Sequence, residues 1–216
     1  MANGRRDEEL SRDAVRTRAE ILQVATAEFA RSGLSGARVD EIAALTRTTK
    51  RMIYYYFGGK GGLYAAVLEE AYAGIRRAEQ KLDLAALSPV EAMRTIVEFG
   101  FDYHAEHPEL GRLVSIENIH HAEHLRASER QIPINTPVLA MLDEVLARGW
   151  EDGSFRRPGV RSIDVHLMAM SWAIFQVTNR PTIEASFGHD MAAPENRATA
   201  RRIAVEAILA WLRTTD

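Results

Sequence analysis

Apolar residues along this chain recur every three or four positions, and no run alternates with polar residues long enough to read as a strand. After a charged start, Ile21, Leu22, Ala25 and Phe29 fall on one face of a helix. Arg31-Ser32-Gly33 ends it with a cationic last turn and a glycine stop. A short helix is predicted over 39–45, with Val39, Ile42 and Ala43 turned inward and Asp40 and Glu41 at the positive end of its dipole. Thr46, Arg47 and Thr48 separate it from a third stretch, 49–55, for which Thr48 or Thr49 is a competent N-cap. Gly58 and Gly59 break that stretch. A long helix begins near Lys60, striped by Leu63, Tyr64, Val67, Leu68, Ala71, Tyr72 and Ile75.

Beyond residue 85 the pattern stays helical. Ser88-Pro89-Val90-Glu91 is a capping box with proline at the first helical position. Pro108 opens a helix after His107, and Thr136-Pro137 repeats the cap-then-proline signal for a helix that stops at Gly149. A turn is predicted at 151–154, a helix over 163–179 ending before Pro181, and a last helix over about 194–212. Residues 1–13 show no apolar period and read as a frayed or disordered arm, with a basic arm touching DNA as the alternative. The pattern predicts an all-α fold.

Composition narrows the class. The 216 residues suffice for one large domain or two small ones, and 46 % hydrophobic with 26 % charged residues is ordinary globular usage. The absence of cysteine excludes a disulfide framework, thiolate zinc fingers and thiol catalysis, and fits a cytoplasmic address. No apolar leader occupies the first thirty residues, and the longest largely apolar run, 167–175, interrupted only by Ser171, is far below the ~18 residues that span a bilayer. With 27 Lys and Arg against 30 Asp and Glu, the net charge of −3 excludes a histone-like wrap of basic surface. The charge is unevenly placed. Residues 1–60 carry 11 cationic against 8 acidic residues, and the whole excess lies over 38–60, in Arg38, Arg47, Lys50, Arg51 and Lys60 against Asp40 and Glu41.

Two short helices joined by three residues, the second rich in hydrogen-bonding side chains, describe a helix-turn-helix whose second helix, 48–56, enters the major groove. Ile53 turns to the three-helix core, while Thr49, Lys50, Arg51, Tyr54 and Tyr55 lie outward. Arg and Lys suit guanine edges, and Thr and Tyr hydroxyls suit phosphates. The stretch 25–68 resembles the TetR family of ligand-responsive repressors. The resemblance lies in Ala27-Glu28-Phe29-Ala30 with Gly33, in Asp40-Glu41-Ile42-Ala43, and in Thr49-Lys50 before Ile53-Tyr54-Tyr55-Tyr56-Phe57. It continues through Lys60 and Leu63-Tyr64-Ala65-Ala66-Val67-Leu68. It implies that Lys60, Tyr54 and Tyr55 hold backbone phosphates and that Thr49, Lys50 and Arg51 sit nearest the bases. Three positions depart from the family pattern. Arg47 replaces a turn glycine, so it either adopts a positive φ or bends the turn differently, and it is itself a candidate phosphate contact. Gly61 replaces an acidic residue and is followed by Gly62, each weakening the helix by about 1 kcal/mol relative to alanine. Ala37 stands where a capping Thr is common, with Arg38 after it as a further phosphate candidate.

The same resemblance implies a second, helical domain that dimerises and holds a small ligand. The 163–179 helix is apolar nearly all round, with Val165, Met168, Ala169, Trp172, Phe175 and Gln176 on one face and Leu167, Met170, Ile174 and Val177 on others. The terminal helix sets Ile203, Ala204, Ala207, Ile208, Trp211 and Leu212 against Arg201, Arg202, Glu206 and Arg213. Packing 163–179 and 194–212 against their copies gives a four-helix homodimer interface and requires a palindromic DNA operator; burial within one chain is the other reading of 163–179. Candidates for the ligand pocket are Phe101, Tyr103 and His104, then Asn118 and His121, then Trp172, Phe175, Gln176 and Asn179, although aromatic residues at these spacings also read as core. Glu117-Asn118, Gly153-x-Phe155-Arg156 and residues 178–182 resemble the pyrimidine-utilisation-repressor branch, which implies a heterocyclic or aromatic acid as effector. His120 and His124 share a helical face, but His-His-Ala-Glu-His lacks the metalloprotease order, and solvated histidines are the expectation. No catalytic residue, metal or cofactor is assigned. A DNA-binding dimer without effector and a histidine-based metal enzyme are the alternatives. The expected organisation is a flexible arm (1–14), a three-helix helix-turn-helix DNA-binding domain (15–60) and a helical ligand-binding and dimerisation domain (61–216).

Overall fold

The computed structural model describes the backbone of residues 2–129 and 131–215 and the side chains of residues 13–129 and 132–215. Among these residues there is no strand. The helices are α1 (Ala2–Gly36), α2 (Val39–Leu45), α3 (Lys50–Phe57), α4 (Lys60–Glu79), α5 (Pro89–Glu106), α6 (Pro108–Ile119), α7 (Glu123–Ala127), α8 (Gln131–Glu151), α9 (Ser162–Thr178), α10 (Arg180–Phe187) and α11 (Pro194–Arg213). Packing groups them into two compact units, residues 1–71 with 113–131 and residues 72–112 with 132–216. Helices α4 and α6 therefore each contribute to both units.

In the first unit the stripe read from the sequence is the core: Ile21, Leu22, Ala25 and Phe29 of α1 close on Ile42 of α2, Ile53 of α3, and Leu63, Tyr64, Val67 and Leu68 of α4. Burial of such side chains stabilises by roughly 1.5–3 kcal/mol each. Phe29 and Tyr64 meet edge to face at 5.1 Å. In the second unit α5, α9 and α11 pack on one another around Met93, Val97, Val165, Ile208 and Leu212, with Leu142, Val145 and Leu146 of α8 completing the core. The Ser88–Glu91 capping box opens α5 as expected.

Several boundaries differ from the sequence reading. The helix α1 extends back to Ala2, so the stretch read as an arm has helical backbone; its side chains to residue 12 lie outside the described residues. Arg, Glu, Leu and Ala favour a helix locally, and that preference does not depend on an apolar period. Pro137 lies inside α8 rather than at its start. Thr136 does not cap but donates back to the Ile132 carbonyl (2.9 Å), while burial of Val138, Leu142 and Val145 carries the helix through the proline. After α9, Pro181 opens the unforeseen α10 as well as ending its predecessor, with Asn179 standing between the two helices. On α9 Val165, Ala169 and Ala173 are buried with Ser162, Met168, Met170 and Trp172 pack half-buried against the same core, and Leu167 and Phe175 are exposed. The inward stripe of α11 is Ala204, Val205, Ile208, Leu209 and Leu212, and Ile203 is exposed.

Candidate nucleic-acid interface

The second short helix starts where its cap puts it. Thr49 Oγ1 accepts from the Met52 N–H (3.3 Å), so Thr49 rather than Thr48 is the N-cap of α3. Gly58 ends the helix in the left-handed region at φ 74°. The connecting turn needs one more such residue, and Arg47 supplies it at φ 51°, which answers the question raised by the missing glycine. Thr46 is buried beneath the turn, its hydroxyl donating to the Ile42 carbonyl at 2.9 Å. Gly62 has its own reason: a Cβ there would lie 1.8 Å from the Phe57 carbonyl oxygen, so the approach of α3 to α4 admits no side chain.

Ile53 is locked into the core and Tyr56 and Phe57 pack half-buried against it, while Lys50, Arg51, Tyr54 and Tyr55 are turned outward, Tyr55 being 78 % exposed. Lys50 pairs with Asp40 across the turn at 3.2 Å, and Arg38 lies 3.8 Å from Glu41. Among the described residues no ion pair or hydrogen bond holds the side chains of Arg47 and Arg51. Arg47 and Thr48 line an open groove of about 440 Å³ with Arg16 and Thr17 of α1. Lys60, the first residue of α4, donates to the Ser35 carbonyl at 3.1 Å while remaining solvent-facing. Every DNA-binding candidate thus lies on the outer side of the helix-turn-helix or at the start of α4.

Residues 21–67 match the family model "Bacterial regulatory proteins, tetR family", and residues 89–208 match "Tetracyclin repressor-like, C-terminal domain". The HTH-type transcriptional repressor NicS of Pseudomonas putida is 34 % identical over 188 residues, covering 87 % of this chain and 88 % of NicS. The chain belongs to the TetR family. The HTH-type transcriptional regulator RutR of Escherichia coli K12 is 29 % identical over 173 residues, 78 % of this chain and 77 % of RutR. A tetR-family regulatory protein from Rhodococcus RHA1 shares the fold, with a TM-score of 0.69 at 20 % identity over 93 % of this chain and 98 % of that one. This TetR chain is a DNA-binding transcriptional regulator, and its relatives are transcriptional regulators. No helix among the described residues is long and apolar enough to cross a membrane.

The pocket candidates of this TetR regulator separate. In the second unit, Tyr103 and His104 of α5 lie close to Arg76 and Glu79 of α4 and to His166 of α9. Arg76 and Glu79 form a buried ion pair at 2.9 Å. Burial lowers the Arg76 pKa and pushes Glu79 up to about 7 against the pull of its partner. Burial first, and the Arg76 charge second, hold His104 down at about 4; His166 is lowered by the same two causes. Phe101 is buried, Trp172 packs against the core, Gln176 and Asn179 are half-buried, and Phe175 faces outward. Asn118 and His121 are exposed and belong to the other compact unit. Sequence reading missed Arg76, Glu79 and His166. The available signal was three ionisable residues on otherwise inward-facing turns, near Ile75 and Ala169.

The histidine run has a structural role. Glu117, buried on α6, accepts from the backbone N–H of His124 (2.7 Å) and Leu125 (3.0 Å), which caps the short α7. His124 is not solvated as expected: Nδ1 lies 3.3 Å from Glu117 and its ring stands edge-on to Tyr64 at 4.9 Å. The run reads as polar from sequence because its covering residue, Tyr64, is sixty positions away. No three His, Asp or Glu residues are grouped to hold a metal among the described residues.

Proposed function

We propose that the chain is a cytoplasmic homodimeric repressor that holds a palindromic operator with two copies of α3 and releases it when a small ligand enters the second unit. The observation that carries the reading is the outward array of α3, where Thr49, Lys50, Arg51, Tyr54 and Tyr55 surround a single buried anchor, Ile53. In this role Thr49, Lys50 and Arg51 read base edges, and Tyr54, Tyr55, Lys60, Arg38 and Arg47 hold phosphates. Regulators of this family bind DNA operators and form dimers, with small-molecule effectors. The exposed Leu167 and Phe175 of α9 and Ile203 of α11 support a dimer through these two helices, since apolar side chains of this size gain by meeting a second copy. Helix α4 carries Lys60 at its first residue and Arg76 and Glu79 in its last turn, so ligand contact at its end would bias the position of its start.

A mobility-shift titration over the intergenic DNA flanking the gene tests the reading. A site-specific, salt-sensitive complex of two chains is expected; binding indifferent to sequence, or none, would overturn it.

A further inference from the structure

The ion pair in the second unit is incompletely satisfied. Arg76 is 7 % exposed, and its Nε and Nη1 are buried with no hydrogen-bond acceptor, although Glu79 Oε2 lies 2.9 Å from Nη1. The carboxylate is close enough to pair electrostatically but is not aligned to accept a proton. His104 Nδ1 on α5, 3 % exposed, is likewise buried and unpartnered. Buried polar atoms left without a partner are costly and uncommon, and three such nitrogens in one small region mark a place where a partner is missing.

A cavity of about 290 Å³ beside the pair is lined by Arg76 and Glu79 together with Leu82, Leu84, Pro137 and Met141. Asp83 and Glu144 also line it, but both are exposed, so water screens them. A void of about 10 Å³ on the other side of Glu79, beside His166, Gly100 and Met170, is too small for more than a water. We infer that the 290 Å³ cavity is a carboxylate-binding site, whose ligand is a small monocarboxylic acid held by the Arg76 guanidinium with its body against the apolar wall. The charge count favours a monoanion. One buried cation is imperfectly paired, and a phosphate-like dianion would meet Glu79 as well as the carboxylates at the rim. Glu79, held near neutrality by burial, can take a proton and donate to the ligand's second oxygen. The volume sits at the lower end of the range of small-molecule pockets, which favours a small acid over a long-chain one. This assignment rests on the ligand-released repressor reading and names the chemistry of its effector.

Isothermal titration of the full chain against three matched pairs tests it: acetate and acetamide, butyrate and butyramide, benzoate and benzamide. At least one acid should bind, and its amide should bind at least about tenfold more weakly, because the charge-assisted bond to Arg76 is lost. Arg76→Met, folded by circular dichroism, should bind the acid no better than the amide. If that variant fails to fold, the acid-to-amide ratio of the unaltered chain decides alone. No acid binding, equal binding of acid and amide, or an undiminished ratio in folded Arg76→Met would overturn the site. Mobility shifts run alongside keep the two readings apart. DNA binding without acid binding removes the site and leaves the repressor, whereas acid binding without DNA binding does the reverse.

Discussion

The outer face of α3 and the interior around Arg76 use similar side chains in opposite surroundings. On α3, Lys50 and Arg51 stand in water, and the 3.2 Å pair between Lys50 and Asp40 contributes under about 1 kcal/mol. Such a pair opens at little cost when a phosphate or base edge arrives. Around Arg76, burial sets the energies instead: it lowers the guanidinium and raises Glu79 even though the two attract. A cation is therefore a reversible contact in one place and a standing cost in the other. An exposed charge can select among DNA sequences without holding the fold, while a buried one ties fold and ligand together.

The largest expected effect breaks that contrast directly. Arg76→Ala leaves Glu79 buried without its partner and should lose about 3–5 kcal/mol in urea unfolding, whereas Arg51→Ala should stay within about 0.5 kcal/mol of the parent. Equal losses at the two positions would erase the distinction. Next comes pH. The unfolded chain protonates His104 near 6.5 and the native chain only near 4, so acidification across that window favours unfolding by up to about 3 kcal/mol. Glu79 acts oppositely: the native chain protonates it near 7 and the unfolded chain near 4.5, so acidification favours the fold by a similar amount. The two slopes nearly cancel between about pH 4.5 and 6.5. Glu79→Gln should uncover the His104 slope, with stability falling as pH drops; a flat profile in that variant would refute the assignment.

Smaller effects sharpen the α3 side. Arg51→Ala should cost about 1–3 kcal/mol at one operator base pair and relax preference there, while Lys60→Ala should weaken binding to all sequences and reduce the salt slope by about 1. Quantitative mobility shifts at several salt concentrations separate the two behaviours. Smallest is Thr49→Ala, which removes the bond to Met52 N–H and should cost about 1 kcal/mol in thermal unfolding. An unchanged melting temperature would show that the cap does not hold α3.

Much of the DNA-facing half was legible because its determinants are local. The Ile21, Leu22, Ala25 and Phe29 stripe and the Gly58 stop each act within about one or two turns and are where the pattern put them, and of the two caps the sequence allowed, Thr49 opens α3. The departures fell where a local signal had two meanings. Thr136-Pro137 reads as a cap followed by a first turn, yet packing of Val138 and Leu142 keeps it inside α8. Pro181 reads as a stop and is also a start. Asn118 and His121 follow the motifs of the second half in sequence, but their segment packs with the first unit.

The sequence by itself determined the all-α class, the helix-turn-helix and which face of α3 is free, since periodicity and caps act over a few residues. Only the tertiary structure decided that Arg76, Glu79, His104 and His166 form one buried polar site. Those residues come from three helices spread over ninety positions, and what makes them a site is the loss of water around them. Desolvation depends on what packs over a side chain, and no spacing along the chain records it.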